Sequence, residues 1–371
     1  MIPLLYVLII VASVTGGIFA KLIPSFILLA KFTYPNAKYN AIGNPFIKTE
    51  EIQKLLVRDL DDFKNVVNTN KDYTLKGESV EDLHNELDST FQKMILMLAH
   101  DSPKSVKGFY DAYLYKLDLS LLKKSVNIFL RGDKPPSDWE EILTTRIFLP
   151  ENREFLTELF TREIADFPNL LRKYQYPEDV IDLIENTATD IIDYDHVSIV
   201  FDRYMLSRFE NLTLPKQCQM AVIRFVKTYK DILNIKTILR AKEFGLKKEK
   251  ITRLLVGRGR ELEDWKLSEL VEMEDVPEVI SHLEGTIYMP YLRDAIVEYE
   301  KETSVFPLEH ALDVCFLHLL SNLSVEHTSN LGVGIRFVVS KEYETQNLKA
   351  ITKGVLEGLS LDTIKKTVVT E

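Results

Sequence analysis

The polar residues with the most regular spacing in this 371-residue chain are Asp231, Asn234, Lys236, Arg240 and Lys242, followed by Gly245. An acid and an amide three residues apart lie on one face of a helix, and basic residues in its last turns face the negative end of the helix dipole. Glycine after the last turn adopts φ > 0 without a Cβ penalty and ends the helix. The chemistry such a set could do is hydrogen bonding and ion pairing. The set also recurs at a step of 113 residues: Asp118, Asp231 and Glu344; Lys123, Lys236 and Lys349; Gly132, Gly245 and Gly358. Asn234 and Asn347 agree with each other, whereas Leu121 stands at the first position. Two full copies and a partial third imply that one contact, either inter-helix packing or docking to a partner, is made more than once.

Residues that could make or break bonds do not assemble in the sequence. No GxxxxGK[ST] run cradles a triphosphate, and Gly257-Arg258-Gly259-Arg260 reads as a turn. His310 and His318, with Cys315 between them, lack the spacing of a helical metal site. Glu342 and Glu344 with Asp313 could be drawn as an acid–base pair, but no histidine, serine or glycine-rich turn supplies the remaining roles. The expectation is a protein without catalytic residues, cofactor, metal or small-molecule substrate.

The elements that must position these residues are helices. Phe109/Ala112/Tyr113, Val222/Phe225/Val226 and Ile335/Val338/Val339 each place apolar residues at i, i+3 and i+4, and these triplets also stand 113 apart. Leu87-Asp88, Phe201-Asp202 and Leu312-Asp313 recur at nearly the same step. Periodicity predicts helices over Thr49–Asn68, Val80–His100, Lys104–Leu130, Arg153–Phe167, Pro177–Asp193, His196–Phe209, Pro215–Phe244, Pro277–Lys301 and Pro307–Leu323. Gly334–Ser340 could pass for a strand, but its counterparts one step away are helical. The class is all-α, in three similar helical units at 32–144, 145–257 and 258–371.

Composition excludes several classes. A net charge of −10 argues against nucleic acid as the main partner. Cys218 and Cys315 are too few for a disulfide framework and suit buried thiols in a reducing interior. Charge is blocky: nine bases and two acids lie between Lys236 and Arg260, and seven acids without a base between Glu178 and Asp195. Such blocks are solvated faces or docking surfaces for charged partners.

Residues 1–31 differ from the rest. Ile2 to Ala20 carries no charge, and Lys21, Lys31 and Lys38 follow it. An apolar helix of ~28 Å approaches the ~30 Å bilayer core, and basic residues after it place the remainder on the cytoplasmic face. A buried hydrophobic helix and a cleaved leader are the rivals.

Asp231-x-x-Asn234, Leu239-Arg240-x-Lys242 and Gly245-Leu246 resemble the C subunit of archaeal-type (A/V-type) ATP synthases, a family related to the d subunit of vacuolar ATPases. Glu342-x-Glu344-x-x-Asn347-Leu348-Lys349-x-Ile351-x-x-Gly354 resembles that family's C-terminal motif, and Tyr34-x-Asn36-Ala37 its N-terminal one. Where the family usually continues with arginines, this chain has Lys38-Tyr39-Asn40. The resemblance covers about residues 32–371 and leaves out 1–31. It implies a funnel of three helical units with pseudo-threefold symmetry. The narrow face would sit on the proteolipid rotor ring and the hollow would receive the central stalk. Such a protein transmits torque in proton- or sodium-coupled ATP synthesis or hydrolysis, at the cytoplasmic face of the cell membrane. The reading from a different class is a membrane-anchored helical adaptor outside any motor.

Overall fold

The structure, a computed structural model, describes residues 26–43, 45–57, 59–187 and 194–370, together with Thr15 and Ile23. Most of the apolar segment 1–31 lies outside these residues, as do residues 188–193 of the acidic stretch. The described residues form helices and connections, with no strand among them.

Helix α1 covers 26–42, α2 Thr49–Leu55, α3 Leu60–Val67, α4 Val80–Asp101 and α5 Lys107–Leu130. Then come α6 Trp139–Thr145, α7 Pro150–Leu159, α8 Phe167–Lys173, α9 Glu178–Thr187, α10 Tyr194–Glu210 and α11 Lys216–Glu243. The last third holds α12 Lys248–Arg253, α13 Asp264–Glu272, α14 Val276–His282 and α15 Met289–Glu302. It closes with α16 Phe306–Glu326, α17 Gly332–Leu356 and α18 Leu361–Thr367.

Local sequence sets these boundaries. Ser79 accepts from the Asp82 amide and donates its own amide to the Asp82 carboxylate, a reciprocal cap that opens α4. Pro290 and Pro307 sit in the first turns of α15 and α16, where a missing N–H leaves no orphan. Three expected helices are interrupted, Arg153–Phe167 among them, where α7 stops at Leu159 and α8 begins at Phe167. Thr49–Asn68 splits between α2 and α3, where Asp59 caps the second piece through the Asp62 amide. Pro277–Lys301 splits between α14 and α15 at Gly285, whose φ is +83°. The stretch Gly334–Ser340 lies inside α17 and is helical.

Six long helices form a closed circuit. Helix α4 packs against α5 and α17, α10 against α5 and α11, and α16 against α11 and α17. Phe109, Phe209, Phe225 and Phe316, from α5, α10, α11 and α16, form a chain of ring contacts through its core at 5.5 to 6.2 Å. A second core joins the chain's two ends, with Phe46, Leu55, Phe63 and Leu83 packed with Leu348, Ile351 and Ile364. Helix α1 lies along the start of α17. Its Asn36 amide donates to the carbonyls of Thr328 and Asn330, and the Tyr39 ring lies 5.4 Å from that of Phe337. Phe26, Ile27 and Tyr34 of α1 remain exposed. No helix of the described residues is long and apolar enough to cross a membrane.

Candidate functional site

The recurring polar residues lie on α5, α11 and α17, and their side chains do equivalent work at each. Asp118 accepts from the Leu149 amide at 3.2 Å and from Asn152 Nδ2 at 2.7 Å. Asp231 accepts from the amides of Arg260, Glu261 and Leu262 and from the Tyr288 hydroxyl at 2.7 Å. Glu344 accepts from the Phe46 amide, the Tyr73 hydroxyl and, at 2.7 Å, Lys341 Nζ. Each acid is buried and holds a loop that leads into another helix. Burial raises the Asp118 carboxyl to about 6 and raises that of Asp231 as well. Gly259 lets the loop reach Asp231, since a Cβ there would lie 1.9 Å from Asp231 Oδ1.

Asn234 and Asn347 make the same pair of bonds. Asn234 accepts from the Val256 amide at 2.9 Å and donates to the Gly257 carbonyl at 2.8 Å. Asn347 accepts from the Val369 amide at 2.9 Å and donates to the Val369 carbonyl at 2.6 Å. Leu121 packs against the core instead. An amide side chain offers one donor and one acceptor, which match both groups of an extended backbone segment.

The lysines close a circuit. Lys123 Nζ on α5 meets Asp202 on α10 at 2.7 Å, and Lys236 on α11 meets Asp313 on α16 at 2.6 Å. Lys349 on α17 meets Asp88 on α4 at 2.5 Å. The aspartates are those of the recurring Leu-Asp and Phe-Asp pairs. All six side chains are between 16 and 28% exposed, so the pairs are shielded enough to count. Gly132, Gly245 and Gly358 end the three helices at φ of +74°, +63° and +66°. Each shows the same two closing bonds, for example Gly245 to the Lys242 carbonyl and Leu246 to the Ala241 carbonyl.

Arg240 binds Glu309, while Lys242 donates to the carbonyls of Val271 and Met273. With Lys236 on Asp313 and Lys248 on Glu272, several charges of the basic block are spent within the molecule. At Gly354 an added Cβ would lie 2.7 Å from Ile364, so this glycine lets α18 pack on α17. Cys218 and Cys315 are buried, their thiols raised to about 11 and about 12 by burial. His310 meets the Val368 carbonyl, and no group suited to a metal exists among the described residues.

Sequence reasoning missed what lies between the three helices. Lys116 Nζ meets Glu342 at 2.5 Å and lies 5.3 Å from the centre of the Tyr229 ring, while the Tyr113 hydroxyl donates to Glu342. Burial opposes the charge on Lys116, but the Glu342 carboxylate holds its pKa above the usual value. Lys116, Tyr229 and Glu342 also stand 113 apart. The signal was present, but three unlike residues do not register as a repeat. Two adjoining cavities of about 210 and 380 Å³ open here, sharing Lys116, Glu342 and Gln346.

These helices carry packing and ion pairs and no reactive constellation. Residues 35–367 match the family model described as ATP synthase (C/AC39) subunit. Among curated proteins, the chain is 27% identical over 353 residues to the C subunit of the A-type ATP synthase of Methanocaldococcus jannaschii, covering 92% of this chain and 87% of that protein. It is 26% identical over 368 residues to the corresponding C subunit from Pyrococcus abyssi, covering 96% and 94%. The chain belongs to the ATP synthase (C/AC39) subunit family. It is a structural component of an A/V-type ATP synthase, a membrane-associated complex whose catalysis lies in other subunits.

Proposed function

We propose that the protein connects the central stalk of the synthase to its proteolipid rotor ring and transmits torque between them. The supporting observation is the cyclic set of Lys–Asp pairs: Lys123 to Asp202, Lys236 to Asp313 and Lys349 to Asp88. Taken with the step of 113, it supports three units at 32–144, 145–257 and 258–371, each ion-paired to the next and the third to the first. A closed ring of this kind resists twisting, because turning one unit against its neighbours strains all three pairs and the loops held by Asp118, Asp231 and Glu344. Residues 1–31, with their uncharged run from Ile2 to Ala20, add an attachment to the membrane and put the body on its cytoplasmic face.

A pull-down from detergent extract tests this, comparing the full-length chain with one that lacks residues 1–25 and keeps α1. Both forms are expected to recover proteolipid ring and stalk subunits. Recovery of stalk without ring by both forms would contradict the connector role.

A further inference from the structure

The circuit of six long helices does not close in the same way at each junction. Helices α5 and α10 pack together and lie on one stretch of chain, as do α11 and α16. Helices α4 and α17 also pack together, yet they come from opposite ends of the chain, so noncovalent contacts alone hold that junction shut. Those contacts include the Lys349–Asp88 pair, the second hydrophobic core and a 3.1 Å contact between the hydroxyls of Thr49 and Thr370.

One turn along from each Lys–Asp pair the chemistry differs. Between α5 and α10, Asn127 donates to Ser198 at 3.4 Å. Between α11 and α16, Arg240 donates to Glu309 at 2.9 Å. The counterparts between α17 and α4 are Lys353 and the partly buried His84. His84 Nε2 lies 2.8 Å from Thr352 Oγ1 and 3.2 Å from the Lys349 carbonyl. The Thr352 hydroxyl donates to that same carbonyl at 2.9 Å, which leaves Oγ1 to accept and assigns the proton of a neutral ring to Nε2. A second proton, on Nδ1, would make the ring a cation. The charged groups that face it are Lys349 and Lys353 on α17 and Asp88 on its own helix, and Asp88 is already bound to Lys349. Burial and the two lysines hold the His84 pKa below its ordinary value.

We propose that His84 is a pH-sensitive latch on this junction, holding α4 against α17 while its ring is neutral and loosening them when it is protonated. Because the folded state favours the neutral ring, the latch contributes fully above the unfolded pKa of ~6.5 and is lost as pH falls through the lower folded value. It needs only the packing of α4 on α17, so the connector role stands or falls separately.

Spin-label distances in the full-length chain test this. Asn85→Cys on α4 and Leu356→Cys on α17, both at exposed positions, report on the latched junction. Phe244→Cys and Phe306→Cys, also exposed, report on α11 and α16. Cys218 and Cys315 are buried and stay unlabelled. Thermal melts at neutral pH confirm the fold of each variant. From pH ~7.5 to ~5.5, either side of the ordinary histidine value, a second and longer distance should appear at the α4–α17 pair and not at the α11–α16 pair. His84→Gln, which keeps a donor for Thr352 and carries no charge, should abolish the longer distance. Lys353→Gln should move its onset to lower pH. A single distance at both pH values would overturn the latch, as would a longer distance that persists in His84→Gln or appears equally at both junctions.

Discussion

Asp118 has two hydrogen-bond donors where Asp231 has four and Glu344 has three. Its carboxyl titrates at about 6 in the folded protein, against ~3.9 in an unfolded chain. Between these values the folded state holds a proton that the unfolded state has lost. This group's contribution to stability is therefore fully present below pH ~3.9 and is lost as pH rises through about 6. Asp118→Asn, which stays neutral, should gain on the order of 2 kcal/mol relative to the parent between pH 4.5 and pH 7.5. Denaturant titrations at the two pH values check this, and parallel behaviour would refute it. For Asn234→Ala or Asn347→Ala the expected cost is ~1–3 kcal/mol, because a buried backbone amide is left without its acceptor. If these variants lose melting temperature but still bind the stalk, the asparagines serve packing; selective loss of stalk binding would assign them to the interface.

At the level of elements, the helix ends and the ion pairs separate two costs. Gly245 and Gly358 have open space around them, so their replacement by Ala meets only the left-handed backbone penalty, ~1 kcal/mol each. Gly259→Ala should cost more than either, since its Cβ would collide with Asp231; equal melting shifts would contradict that account. Double-mutant cycles on Lys123/Asp202, Lys236/Asp313 and Lys349/Asp88 should give similar couplings of ~0.5–1 kcal/mol, as befits partly shielded pairs. One large and two negligible couplings would break the equivalence. What was legible in the sequence follows the same division. Helix faces and glycine stops act within a few residues, so α5 and α11 could be drawn from periodicity, and α17 followed from its counterparts one step away. The partners of Lys349 and Glu344 could not, because Asp88 and Phe46 come from the opposite end of the chain and no local pattern joins them. The recurring Asp88, Asp202 and Asp313 were visible, yet only the packing of α4, α10 and α16 shows which lysine each one meets. The breaks at Asp59 and Gly285 were hidden because apolar periodicity runs on past a single turn.

For the whole molecule, the charge pattern reads differently once folded. The basic block from Lys236 to Arg260 read as a solvated face or a docking surface, and in the fold Lys236, Arg240, Lys242 and Lys248 are engaged internally. They hold α11 against α13 and α16, and α12 against α13. Among the described residues, a partner can still reach the space between the three long helices and exposed apolar side chains such as Phe26, Ile27 and Tyr34 of α1. The most direct measurement is a bridging assay. Liposomes bearing the proteolipid ring are mixed with the isolated stalk and floated on a density gradient, with and without this protein. The connector account predicts that the stalk floats with the ring only when the protein is present. A stalk that floats equally well without it, or stays behind when it is added, would contradict the account.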